Sequence, residues 1–222
     1  MKRTAPITAL FLDVGGVLAN GWDHHARRRA AKNFNLKWAA MEGRHGLNFA
    51  AHEEGRVTFE QYLNRVIFYK KRPFTRSQFR LFMFAQSKPY IKMIEMVRNL
   101  KARYALRIAV VSNESREVNA YRIHKFKLDG FVDTFISSCF VHARKPDVEI
   151  FRLALDIAQA SPRQVLYIEN TPMFVQIAGS LGIRRILHTD YKSTRAKLAS
   201  FGLQNNNEDI RPLGPRRLEK EN

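Results

Sequence analysis

Residues 7–20 read ITALFLDVGGVLAN, an apolar run that stops at a lone carboxylate, Asp13, and passes at once to Gly15 and Gly16. A strand buried on both faces of a parallel sheet has this continuous apolar character, and glycines after it let the chain turn sharply. Met1-Lys2-Arg3, the apolar run and the small-residue ending LAN also have the outline of a secretory leader. The uninterrupted core ITALFL is shorter than the usual apolar stretch of about 7 to 15 residues, and an acid interrupts the run, so a strand is expected here rather than a cleaved leader.

Working outward, apolar runs alternate with helical patterns, the order expected of a parallel sheet with helices on both faces. Strands are expected at Ile7 to Val14, Arg107 to Val111, Phe135 to Ser137, Val165 to Glu169 and Arg184 to His188. Pro89 is expected to open a helix carrying Ile91, Ile94, Val97 and Leu100 on one face, and Pro146 another carrying Ile150, Leu153 and Ile157. Gly182 and Gly202 sit where helices should stop. Residues 20–88 break the alternation with helix-like sequence and no strand, so they are read as an inserted helical cap, with residues 1–19 and 89–203 as the α/β core. Residues 204–222, QNNNEDIRPLGPRRLEKEN, have almost nothing to bury and are expected to be a mobile tail.

The chain has 222 residues, 45% of them hydrophobic, enough for one domain with an insertion. No apolar run approaches the roughly 20 residues that cross a bilayer. One cysteine, Cys139, excludes an internal disulfide framework, fits a reducing compartment such as the cytoplasm, and reads as a packed thiol. The formal net charge of +18 favours anionic partners. Residues 20–88 hold 14 Lys and Arg against 5 Asp and Glu, about half of that charge. Phe68, Tyr69, Phe74, Phe79, Phe82 and Phe84 interleave its second basic stretch, as stacking platforms for nucleic acid do, but their spacing suits a cap core better. Nucleic acid is therefore a possible partner and not the favoured one. His24 and His25 lack a third ligand at metal-binding spacing.

In an open parallel sheet, ligands bind beyond the carboxyl ends of the strands. Asp13 ends the first strand, Ser112-Asn113 the second, and Glu169-Asn170 the fourth, while Lys145 precedes a helix. These supply a nucleophilic carboxylate, hydroxyl and amide donors, a cation and a second carboxylate, an inventory suited to phosphoryl transfer. Ser112 is also placed to cap a helix beginning near Glu114.

LFLDVGGVL, VVSN, RKPDVEIFRLAL and VLYIENTPMFVQIAGSLGI, in this order, resemble the four motifs of the haloacid dehalogenase-like hydrolases, and HEEGRVTFEQYLNRV resembles the small helical cap of the branch containing sugar-phosphate phosphatases. The resemblance implies a Rossmann-like α/β core with a helical cap, and a magnesium-dependent phosphohydrolase that forms an aspartyl-phosphate on a small phosphorylated metabolite. Asp13 would attack. Ser112, the Asn113 main-chain amide and Lys145 would hold the phosphoryl oxygens, with Lys145 also keeping Asp13 ionised. Asp13, the Gly15 carbonyl, Glu169 and Asn170 would hold Mg2+, and Gly15 and Gly16 would let the backbone approach the phosphate closely.

Departures from the family pattern are equally informative. Gly15 stands where most of these phosphatases carry a second aspartate that protonates the leaving oxygen. Glu169-Asn170 replaces a pair of aspartates, which removes one charge from the cation site, and Phe174 stands where asparagine is frequent. The alternative is therefore a catalytically impaired relative that binds phosphate, nucleic acid or a protein. A 2-haloacid dehalogenase comes third. The substrate and the oligomeric state are not written in the motifs.

Overall fold

The computed structural model describes residues 5–204, and the expected mobile tail lies almost wholly outside them. Among the described residues, one parallel sheet contains β1 (Ala9–Leu12), β2 (Arg107–Ser112), β3 (Thr134–Ser137), β4 (Val165–Glu169) and β5 (Arg184–Leu187), in the order β3-β2-β1-β4-β5. Leu12, the last residue of β1, lies opposite Val110 of β2 and Ile168 of β4, so β2 runs two residues and β4 one residue beyond it. The chain winds outward from β1 to β3 and then returns to the other side of β1. Loops leaving β1 and β4 therefore diverge, which opens a crevice at their carboxyl ends.

Side chains of β1 alternate between two cores. Leu10 and Leu12 pack with Met93, Val97 and Leu198 on one face of the sheet. Ala9 and Phe11 pack with Ile150, Phe151 and Ala178 on the other. Burial on both sides explains the unbroken apolar reading of the strand. The named strand is shorter than expected because the amides of Val17, Leu18 and Ala19 all turn back to the Val14 carbonyl.

Four helices follow β1: α1 (His24–Asn33), α2 (Trp38–Glu53), α3 (Phe59–Val66) and α4 (Arg76–Ala85). They enclose their own apolar cluster around Phe59, Tyr62, Leu63 and Phe79, with Phe68, Phe74, Phe82 and Phe84 packed against it. The chain enters and leaves them through adjacent segments, where Asn20 N donates to Lys88 O at 3.0 Å and Tyr90 N to Leu18 O at 2.7 Å. The remaining helices are α5 (Ile91–Tyr104), α6 (Arg116–Lys125), α7 (Ser138–Val141), α8 (Val148–Ala158), α9 (Pro172–Ser180) and α10 (Tyr191–Ser200).

The helix expectations need correction. Pro89 does not open α5, which starts at Ile91 behind Tyr90, and Ile91 is 55% exposed while Ile94, Val97 and Leu100 are buried. Pro146 does not open α8: Asp147 caps it by accepting from Glu149 N at 3.1 Å, and Pro146 lies outside. The buried face of α8 is Ile150, Phe151, Ala154 and Ala158, whereas Ile157 is 46% exposed. Gly182 and Gly202 do follow helix ends with φ of 80° and 82°, the left-handed conformation that terminates a helix.

Candidate active site

The ends of β1, β2 and β4 bring Asp13, Ser112 and Glu169 together, and Lys145 reaches them from the segment before α8. All four are buried. Lys145 Nζ donates to Asp13 Oδ1 at 2.7 Å, to Glu169 Oε2 at 2.6 Å and to the Tyr167 hydroxyl at 3.0 Å, so each of its three hydrogens meets an oxygen. Its ammonium also lies 5.1 Å from the centre of the Phe174 ring, a cation–π contact at the position where the family often has asparagine.

Asp13 Oδ1 accepts a second bond, from Ser112 Oγ at 2.9 Å. No donor reaches Asp13 Oδ2 among the described residues. One oxygen is thus fixed and the other is open. Burial pushes the Asp13 carboxyl up to about 6, against the pull of Lys145 and Ser112, and leaves it ionised at neutral pH. Burial disfavours the Lys145 charge, but Asp13 and Glu169 outweigh it and hold its pKa above the ordinary lysine value.

Asn113 holds Lys145 by its backbone. Its Oδ1 accepts from Lys145 N and its Nδ2 donates to Lys145 O, both at 2.8 Å. Ser112 is no helix cap, because its hydroxyl faces Asp13 and α6 starts at Arg116 behind Ser115. Glu169 is fully engaged: Oε2 meets Lys145 and Tyr167, while Oε1 accepts from the amides of Asn170 and Thr171, both at 2.9 Å.

The two glycines differ. Gly16 has φ of 93°, and a Cβ there would stand 2.4 Å from Asn170 Nδ2, so the position needs glycine. Gly15 lies outside the left-handed region, and its Cβ would meet only Asp13 Oδ2 at 3.8 Å, an ordinary contact. Its lack of a side chain is therefore a chemical feature rather than a steric one.

The residues around Asp13 offer a donor set for a hard cation. The inner atom of the Asn170 amide lies 3.0 Å from Glu169 Oε1 and 3.1 Å from the Gly15 carbonyl oxygen. As nitrogen it donates to both. Turned over, the amide presents its oxygen beside those of Glu169 and Gly15, a donor set that a cation can take. Carboxylate, backbone carbonyl and amide oxygens are the ligands magnesium takes, so the residues present fit it. No group of three or more His, Cys, Asp or Glu fit to hold a metal occurs among the described residues.

The family model of the haloacid dehalogenase-like hydrolases matches residues 7–182. The chain belongs to this family. It is 25% identical over 189 residues to a phosphorylated carbohydrates phosphatase of Thermotoga maritima, across 80% of this chain and 83% of that protein. Its fold resembles a HAD family enzyme of Bacteroides thetaiotaomicron solved with magnesium and inorganic phosphate (TM-score 0.70, 19% identity, 83% of this chain and 97% of that one). It also resembles a HAD-like family hydrolase of Porphyromonas gingivalis (TM-score 0.73, 19% identity, 90% and 100%) and, at TM-score 0.59, the L-2-haloacid dehalogenase of Xanthobacter autotrophicus (15% identity, 90% and 85%). The five-stranded parallel sheet carries Asp13, Ser112 and Glu169 at the carboxyl ends of its strands. No described helix is long and apolar enough to cross a membrane.

A cavity of about 410 Å³ opens over Asp13, with the sheet loops on one side and α1–α3 on the other. Several polar residues in its wall, and Tyr167 behind it, escape sequence reasoning. Tyr167 had a signal, since it lies two positions before Glu169 and so points to the same side of β4. Glu53 of α2, paired with Arg144 at 2.8 Å, and the buried ion pair of Arg122 and Glu114 had none, because each is made by the tertiary fold. On the side of the inserted helices, Trp22 Nε1 donates to the Tyr62 hydroxyl at 3.0 Å, which lies 2.9 Å from His45 Nδ1. Burial lowers the pKa of His45 to about 4 and also lowers that of His52, so both rings are neutral.

Proposed function

We propose that this hydrolase is a magnesium-dependent phosphohydrolase acting on a small phosphorylated metabolite, with residues 20–88 as the cap that covers it. The observation that carries the reading is the asymmetry of Asp13: Oδ1 is tied to Lys145 and Ser112 while Oδ2 meets no donor among the described residues. Asp13 Oδ2 attacks phosphorus and forms an aspartyl-phosphate, which water then cleaves. Lys145 keeps Asp13 ionised and in place, and Asn113 keeps Lys145 in place. Asp13, the Gly15 carbonyl and Asn170 would hold magnesium, which would supply the positive charge that lets an anion approach a phosphate ester, whereas Glu169, expected as a further ligand, has both oxygens engaged in hydrogen bonds. Glu169 supports this set from behind, through Lys145 and the amide of Asn170. The Thermotoga relative, named for phosphorylated carbohydrates, supports the reaction class.

The test is phosphate release from a panel of phosphorylated metabolites, with and without magnesium. Release that needs magnesium and disappears in Asp13→Asn is expected. Wild-type turnover in that variant overturns the aspartyl-phosphate route. No release from any substrate, with no magnesium binding by calorimetry, overturns the enzyme reading in favour of a binding protein.

A further inference from the structure

Gly15 leaves the leaving-group oxygen without the usual proton donor, so the proton must come from elsewhere in the cavity. The carboxyls in its wall are Asp13, Asp23, Glu53, Glu114 and Glu169. Asp13 is the nucleophile. Asp23 Oδ1 caps α1 by accepting from Ala26 N at 2.7 Å. Glu114 is paired with the buried Arg122, and both Glu169 oxygens are filled. Glu53 keeps an oxygen, Oε1, that meets no donor among the described residues, while Oε2 accepts from Arg144 Nη2 at 2.8 Å; Asp23 also keeps an open oxygen, but it stands before the first turn of α1 as its cap, whereas Glu53 stands at the carbonyl end of α2.

The backbone around Glu53 is seated on the core. Glu53 O accepts from Ser138 Oγ at 2.7 Å, and Glu54 O lies 2.8 Å from His142 Nδ1. Gly55, at φ of 72°, packs so close that a Cβ would stand 2.5 Å from Cys139 O. A residue of the inserted helices is thereby fixed against the sheet side of the cavity. Glu53 is also the last residue of α2, where the carbonyl end of the helix disfavours negative charge.

We propose that Glu53 is the general acid that protonates the leaving oxygen, in place of the side chain Gly15 lacks; this deepens the phosphohydrolase reading and rests on it. As the Asp13 Oδ2–phosphorus bond forms and the bond from phosphorus to the leaving oxygen breaks, that oxygen takes the Glu53 proton and departs as an alcohol. Glu53, now anionic beside Arg144, takes a proton from the water that attacks the aspartyl-phosphate. Asp13 is released as a carboxylate together with inorganic phosphate. Burial raises the Glu53 carboxyl to about 7, with Arg144 and Lys145 lowering it and Glu114 raising it, so both forms are populated at neutral pH.

The experiment compares para-nitrophenyl phosphate with a sugar 6-phosphate in wild type, Glu53→Gln and Glu53→Asp, with magnesium. Glu53→Gln should lower kcat on the sugar phosphate by about 10²- to 10⁴-fold and on the aryl phosphate by less than about tenfold, since nitrophenolate leaves without a proton. Glu53→Asp should recover part of the loss. Wild-type kcat on the sugar phosphate should fall above pH about 7, a limb missing from the variant. Equal losses on both substrates, or none on either, overturn the proposal. If the wild type releases phosphate from neither, the phosphohydrolase reading itself has failed, and with it the proposal.

Discussion

The Asn113 side chain brackets the backbone of Lys145, accepting from its amide and donating to its carbonyl, both at 2.8 Å. The two residues lie on separate loops, one after β2 and one before α8, so this pair of bonds sets where the lysine side chain starts. Asn113→Ala should therefore act through Lys145, as a positioning change. A misplacement of about 1 Å costs up to about 10²-fold in rate, so kcat should fall by about 10- to 100-fold while Tm changes little. Unchanged kcat would leave Asn113 as a loop residue only.

Lys145→Met removes the one cation between two buried carboxylates. Breaking such a pair costs about 3–5 kcal/mol, because charge is left buried without compensation. The pH dependence has a definite sign. The folded-state pKa of Asp13 is raised from 3.8 to about 6, so the folded protein binds the proton more tightly than the unfolded one, and stability is lost as pH rises through that window. Without Lys145 the pKa rises further and the loss grows. Urea midpoints of the metal-free variant and wild type should lie closer at pH 4 than at pH 7. A gap independent of pH would mean that Asp13 and Glu169 do not share the lysine charge.

The sheet was legible because burial on both faces leaves a mark in sequence: an unbroken apolar run ending in a polar residue identifies β1, β2 and β4, and Asp13, Ser112 and Glu169 are the residues at those ends. Lys145 was legible from its place before a helix. The partners that tune these groups were not. Tyr167 reads as one more aromatic of a buried strand, and Glu53 meets Arg144 across 91 positions of sequence through the packing of α2 onto the core. The start of α8 was misplaced because Pro146 is a common helix opener, whereas the Asp147 carboxylate makes the cap. Asn113 was read for its main-chain amide, and a side chain that clamps a neighbouring loop cannot be seen without the fold.

Gly16→Ala tests the backbone approach beneath the cation site. Its φ of 93° is strained for any L-residue, and the methyl group would collide with the Asn170 side chain at 2.4 to 2.9 Å. The strain costs about 1–3 kcal/mol, and Asn170 must move away from the Gly15 carbonyl. Magnesium affinity by calorimetry should fall at least tenfold, on the scale of losing the orientation of a ligand. Unaltered affinity would show that Asn170 is not a ligand.

Arg122 and Glu114 form the other buried ion pair at the cavity, and Arg122 also donates to Asn20 O at 3.1 Å and Ser87 Oγ at 3.1 Å, the segments through which the chain enters and leaves the inserted helices. Arg122→Ala should lower unfolding stability by about 3–5 kcal/mol, and pairing it with Glu114→Ala should recover part of that loss, because the stranded carboxylate is removed. Additive losses in the double variant, read from denaturant curves, would mean that the contacts to Asn20 and Ser87 dominate.

Gly15→Asp restores the carboxyl that the family usually places two residues after the nucleophile. The backbone accepts it, since Gly15 is not left-handed and a Cβ there meets only Asp13 Oδ2 at 3.8 Å. In the wild-type background a second acid is redundant if Glu53 already donates the proton, so sugar-phosphate turnover should change by less than about threefold. In the Glu53→Gln background it should raise that turnover by about 10-fold or more and flatten the dependence of rate on leaving-group pKa, because a general acid matters most when the leaving oxygen is basic. Aryl-phosphate turnover should respond little in either background. A rise of the same size in both backgrounds would mean that Glu53 and position 15 do not serve one proton. Rescue confined to the variant lacking the Glu53 carboxyl would mean that the two positions supply the same proton.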